Sequence, residues 1–111
     1  MIETEDINAI DQGYFELINI SEYYITIQSR NTGHFWHLLE RVANDHRTFV
    51  ISHRHGGSGP YHLQQTRSKP SIEACCDYIK DHDAYQARKD MAKEQRRQKN
   101  RRRHMGAMDG S

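Results

Sequence analysis

The apolar pattern of this chain ends at Ile79, and the remainder is dominated by charge: between Lys93 and Arg103 stand seven basic residues and one acid, Glu94. Such a stretch has almost nothing to bury and cannot join a core. Of the 111 residues, about 70 to 80 are then left to build one, which limits the chain to a single small domain. The mean hydropathy of −1.00 and hydrophobic content of 35% agree with a chain that is partly solvated along its length.

The net charge of +1 conceals a polarised distribution. Residues 1–29 carry six acids and no lysine or arginine, residues 30–70 are net basic, residues 71–92 are slightly acidic, and residues 93–104 return to strongly basic. A basic block of this density attracts polyanions whatever the total charge. No apolar run approaches the length needed to span a bilayer. Met1 to Asp6 lacks the basic and apolar stretches of a secretory signal, so a cytoplasmic location is expected. The two cysteines, Cys75 and Cys76, are adjacent, point about 100° apart on a helix, and read as small apolar residues rather than a disulfide.

Strand signals fill the middle of the chain. Tyr23 to Gln28 alternates and is rich in aromatic and β-branched residues. Asn31-Thr32-Gly33 reads as a three-residue loop with glycine in the left-handed region, and His34 to Arg41 resumes extended character. Thr48 to His53 forms a third strand, Gly56-Gly57-Ser58-Gly59-Pro60 breaks the chain, and Tyr61 to Gln65 is a candidate fourth strand. Tyr14 to Ile20 is ambiguous, because Ile7, Ile10, Tyr14 and Leu17 also fit helical spacing; Gly13 favours a strand. Pro70-Ser71 opens a helix capped by Ser71, with Glu73 and Asp77 in its early turns and Ile72, Cys75, Cys76 and Ile79 on one stripe. The expected fold is α+β, an antiparallel meander of three to four strands covered on one face by a C-terminal helix. It divides into an acidic segment (1–13), the domain (14–92), a helical or disordered basic tail (93–104) and a disordered end (105–111).

With a three-residue loop, Arg30 faces His34, Gln28 faces Trp36, Ile27 faces His37 and Ile25 faces Leu39. One sheet face then holds Ile25, Ile27, Phe35 and Leu39 for the helix, joined by Phe49 and Ile51. The other presents Gln28, Arg30, His34, Trp36 and Arg54, a set with donors for phosphates and base edges and an aromatic ring for stacking. A solvated polar face would look much the same.

A three-stranded antiparallel sheet followed by one covering helix that begins Ser71-Ile72-Glu73-Ala74 resembles the DNA-binding domains at the amino end of tyrosine recombinases and in plant ethylene-response factors. The resemblance covers Tyr23 to about Asp81 and implies a sheet laid in the major groove. Ser29 to Trp36 is similar to a stretch in small proteins of bacterial mobile elements, which implies work around plasmid or transposon DNA.

These features together predict a non-catalytic nucleic-acid-binding protein, DNA ahead of RNA. The predicted contacts are Lys93, Arg96, Arg97, Lys99, Arg101, Arg102 and Arg103 on phosphates, with Gln28, Arg30, His34, Trp36 and Arg54 in closer contact. No catalytic residue, metal or cofactor is expected, and no membrane partner. Two alternatives stand beside this reading. One is a protein-binding inhibitor or accessory module that docks through Glu3, Glu5, Asp6, Asp11 and Glu16. The other is a small metal-independent ribonuclease using histidines with Arg54. Six of the eight histidines lie between His34 and His62, and the register above puts His37 and His53 side by side with His55 two residues on; such a group could bind zinc, but a site needs three or four converging ligands and the only nearby acid, Asp45, is in a loop. Gly56 to Gly59 lacks a following Lys-Ser/Thr and joins strand to strand, so it reads as a flexible connection rather than a phosphate loop.

Overall fold

The computed structural model describes residues 1–64 and 66–109, with residues 103–109 described as helical backbone alone. Its elements are α1 (Thr4–Asn8), β1 (Phe15–Ile20), β2 (Tyr24–Ser29), β3 (Phe35–Ala43), β4 (His46–Arg54), β5 (His62–Leu63) and α2 (Ile72–Asp109). The strands form one antiparallel meander in the order β1-β2-β3-β4-β5. The fold is therefore α+β as expected, with five strands instead of three or four. Tyr14 to Ile20 resolves as a strand from Phe15 onward, bulged between Leu17 and Asn19. Gln65 lies outside the described residues.

Local chemistry accounts for the connections. Gly33 has φ 75°, the left-handed conformation that glycine adopts at no steric cost. Asn44 and Asp45, with φ of 52° and 62°, make the two-residue turn between β3 and β4, where two left-handed residues match the twist of the flanking strands. At the start of α2 the Ala74 N–H donates to Ser71 Oγ at 3.1 Å, the N-cap that its sequence announced.

The β2–β3 register departs from expectation by one residue. Ser29 N–H donates to His34 O at 2.9 Å and Gly33 N–H donates to Ser29 O at 2.8 Å, so the loop holds four residues, 30–33, and Ser29 rather than Arg30 faces His34. Ile27 then pairs with Trp36, Ile25 with Leu38 and Gln28 with Phe35. A one-residue slip exchanges the faces of a whole strand. Trp36 and Leu38 enter the core, each with no exposed surface, while Phe35, His37 and Leu39 turn to the other face. The expectation that Trp36 is displayed on the open face is overturned. Its indole N–H explains the choice: it donates to Ser29 Oγ at 3.1 Å inside the core, satisfying a donor that burial would otherwise strand.

The core contains Phe15, Ile25, Ile27, Trp36, Leu38, Phe49 and Ile51 from the sheet, closed by Ile72, Cys75, Cys76 and Ile79 of α2. Phe49 and Ile51 face inward as expected. Residues 1–13 also contribute: Ile10 is buried, and Ile2 and Ile7 pack against the cluster. An ion-pair network closes the same region. Arg47 Nη2 donates to Asp6 Oδ2 at 2.7 Å and Arg47 Nε donates to Glu40 Oε1 at 3.1 Å, while the Met1 ammonium lies 2.7 Å from Glu40 Oε1. Glu40 is buried, which is tolerable only because it is paired.

The chain divides into two compact units, Met1–Ile79 and Lys80–Ser111. The second is helical through Asp109, including the stretch from Met105 where disorder was expected; Gly110 and Ser111 lie outside the described residues. Met105, Ala107 and Met108 are good helix formers, and the single glycine among them, Gly106, costs only about 1 kcal/mol. Among the described residues no helix is long and apolar enough to cross a membrane.

Candidate functional site

The basic segment is a continuous helix, and its side chains from Ala87 to Arg102 are all exposed. At about 100° per residue, Arg88, Lys89, Lys93, Arg96 and Lys99 fall within an arc of roughly 140°. The acids of this stretch, Asp90 and Glu94, lie outside that arc. Asp90 accepts a hydrogen bond from Gln86 Nε2 at 3.1 Å, and Glu94 lies 3.8 Å from Arg97 Nη1. The helix thus carries a cationic stripe along one side and confines its carboxylates to another. Arg101 and Arg102 extend the charge around the cylinder, and Arg103 lies outside the described side chains.

The residues expected on the open sheet face do not assemble there. Gln28 and Arg54 do share it, since Gln28 pairs with Phe35 and Phe35 with Arg54. Each is already engaged locally: Gln28 Nε2 donates to Gly33 O at 3.1 Å and Arg54 Nη1 donates to Gly59 O at 3.2 Å. The Arg54 guanidinium also sits 5.0 Å from the Phe35 ring centre and 4.6 Å from that of Tyr61, a cation–π arrangement. Arg30 Nε donates to Gln12 O at 3.1 Å beyond the end of β2. His34 and Trp36 belong to the opposite, core-side face. His37 occupies the open face instead, with Thr26 Oγ1 3.3 Å from its Nδ1 and Tyr24 and Tyr61 beside its ring. Burial lowers the His37 pKa by disfavouring its charged form.

The proposed docking acids at the N-terminus are likewise partly committed. Asp6 is held by Arg47, Glu3 lies 3.8 Å from the same guanidinium, and Asp11 Oδ1 accepts from Gly13 N–H at 3.0 Å. Burial raises the Asp6 pKa, but the hydrogen bonds from Arg47 and the Glu3 backbone outweigh it and hold the carboxyl below its ordinary range. The Arg47 hydrogen bond does the same for Glu40 against the cost of burial, aided by the N-terminal ammonium.

The histidine group that the sequence reading placed around His53 and His55 lies at the core-side end of β3 and β4, with His34 as its third member instead of His37. Trp36 pairs with His53 and Phe35 with Arg54; His34 and His55 come next, just beyond the end of the ladder. His53 Nε2 and His34 Nδ1 are 3.1 Å apart, the His34 and His55 rings stack at 4.3 Å, and the His53 and His55 ring centres are 4.6 Å apart. The expected neighbour, His37, is on the other face for the same reason that Trp36 is not. Arg54 alternates with His53 and His55 and points away from them; the imidazole that shares its open face is His37, and both lie against the Tyr61 ring.

No protein-family model, curated protein or solved structure matches this chain.

Proposed function

We propose that the protein binds nucleic acid, duplex DNA first, through the basic stripe of α2 rather than through its sheet. The observation that carries this reading is the exposed stripe of Arg88, Lys89, Lys93, Arg96 and Lys99 on a continuous helix. Lys93, Arg96, Arg97, Lys99, Arg101 and Arg102 retain the role of neutralising phosphates. Gln28, Arg30, His34, Trp36 and Arg54 are not part of this interface. A helix with side chains is about 10–12 Å across, and the major groove of B-form DNA is about 12 Å wide. The narrow major groove of A-form RNA does not admit it, which favours DNA. The domains that the chain resembles lay a sheet in the groove; here charge and exposure favour the helix for that contact.

Fluorescence anisotropy with a labelled duplex at several salt concentrations tests the proposal. About five phosphate contacts give a slope of log affinity against log salt near −4 to −5. Replacing Lys93, Arg96 and Lys99 together by glutamine should make the slope shallower by about 3. An unchanged slope, or equal affinity for duplex RNA, would remove this helix–groove reading.

A further inference from the structure

We propose that His34, His53 and His55 form a three-histidine site for a zinc-class divalent metal ion, with the fourth coordination position open to solvent. The site lies wholly within Met1–Ile79 and does not depend on the nucleic-acid reading of α2.

The backbone creates it. In an antiparallel pair, residues opposite one another share a face, and residues two apart on one strand share it too. With Trp36 opposite His53, the next same-face positions are His34 and His55, just beyond the end of the ladder. Three imidazoles therefore crowd one corner of the sheet, and their ligand nitrogens all lie within 4.8 Å of one another. Tetrahedral zinc with bonds of about 2.0–2.1 Å to imidazole sets neighbouring nitrogens about 3.3 Å apart. The 3.1 Å between His34 Nδ1 and His53 Nε2 already matches one edge of that figure. His55 must close the remaining distance. It is exposed, and a Cβ at Gly56 or Gly57, the two residues that follow it, would meet no atom within 4 Å, so the backbone beside it has room to shift.

The surroundings hold the buried ligand in place. The indole of Trp36 stacks on His53 at 4.1 Å and 16°, locking the ring plane. On its far side His53 Nδ1 lies 3.0 Å from Gln64 Nε2, and Tyr78 Oη donates to Gln64 Oε1 at 3.2 Å. This chain assigns every role: Gln64 donates to Nδ1, and His53 carries its hydrogen on Nε2, aimed at His34 Nδ1. Metal ligation through Nε2 needs the other tautomer. Turning over the Gln64 amide supplies it, because Oε1 then accepts from Nδ1–H while Nε2 donates to Tyr78 Oη. A metal-bound histidine whose second nitrogen donates to an amide or carboxylate oxygen is the usual outer-shell arrangement. Gln64 is thus a positioning residue. Burial grades outward from His53 through half-buried His34 to exposed His55, leaving an entry path. Imidazole donors without carboxylates select zinc, cobalt, nickel or copper over magnesium and calcium.

The test is titration of the full chain with Zn²⁺ by calorimetry and with Co²⁺ by visible absorption, beside His34→Gln, His55→Ala, Gln64→Leu and, as a control, His46→Ala. His46 opens β4 at its other end. The expected result is one equivalent of metal bound with the intense absorption of tetrahedral cobalt, and a rise in melting temperature with zinc. Affinity should fall at least tenfold in H34Q and H55A, about tenfold or more in Q64L, and stay unchanged in H46A. No saturable binding, or binding that H34Q and H55A leave intact, overturns the site. Because His55 is exposed, H55A keeps its fold and decides the matter even where H34Q is less stable.

Discussion

Arg47 and Arg96 are the same residue type under opposite physical regimes. Arg47, in Met1–Ile79, reaches Glu40 and Asp6 at 3.1 and 2.7 Å, and those two hydrogen bonds raise its pKa further above its already high ordinary value. Arg96, on the helix after Lys80, is exposed among other exposed cations. A charge in the first setting is structural, because its removal leaves the buried Glu40 carboxylate with the Met1 ammonium alone; in the second it is left to solvent. Burial, more than residue type, separates the charges that build this protein from those left to solvent.

The largest expected effect breaks the core side of the comparison. Trp36→Ala removes the largest fully buried side chain and the donor to Ser29, and should cost about 3–5 kcal/mol in chemical denaturation. Arg47→Ala comes next at about 3 kcal/mol, most of it from leaving buried Glu40 with only the Met1 ammonium as a partner. A loss below 1 kcal/mol would show that Glu40 finds water and that the network is ordinary surface chemistry.

The same network sets the acid limit. Glu40 and Asp6 have carboxyl pKa values lowered by folding from 4.5 and 3.8. Their contribution is complete above those ordinary values and is lost as pH falls through the lower, folded ones. His37, lowered by burial from 6.5, adds a loss that begins earlier: below about pH 6.5 the unfolded chain takes a proton that the folded imidazole resists. Denaturation midpoints should therefore decline in two stages on acidification, and Arg47→Ala should flatten the lower stage while leaving the upper. Smaller again is Ser71→Ala, which removes the cap on Ala74 N–H and should cost about 1 kcal/mol.

Much of the architecture was legible in the sequence because its signals were redundant. The alternation of Tyr23 to Gln28, the glycine of the first loop, the cap at Ser71 and the stripe ending at Ile79 each pointed the same way, and each is present. The register of β3 was not legible from alternation, because both of its faces are partly apolar: Phe35 and Leu39 on one, Trp36 and Leu38 on the other. Loop length decided between them, and three and four residues both accommodate Gly33. One signal was present. Only the observed register places Ser29 where it can accept from a buried indole. That single slip accounts for the misplaced Trp36 and His34, and for His37 being expected beside His53 and His55 where His34 stands, since it changes which imidazoles face one another.

The smallest expected effect sharpens the comparison most. Replacing Lys93, Arg96 and Lys99 by glutamine keeps helix propensity nearly constant and removes side chains that are exposed in the free protein. The unfolding free energy should shift by less than about 0.5 kcal/mol, even as the salt dependence of duplex binding becomes shallower. The two measurements on one variant separate ligand contact from structure. Unaltered stability with altered binding places these cations outside the fold's own energetics, as their exposure requires. A stability loss above about 1 kcal/mol would mean that the stripe is satisfied within the protein, and the contrast between Arg47 and Arg96 would disappear.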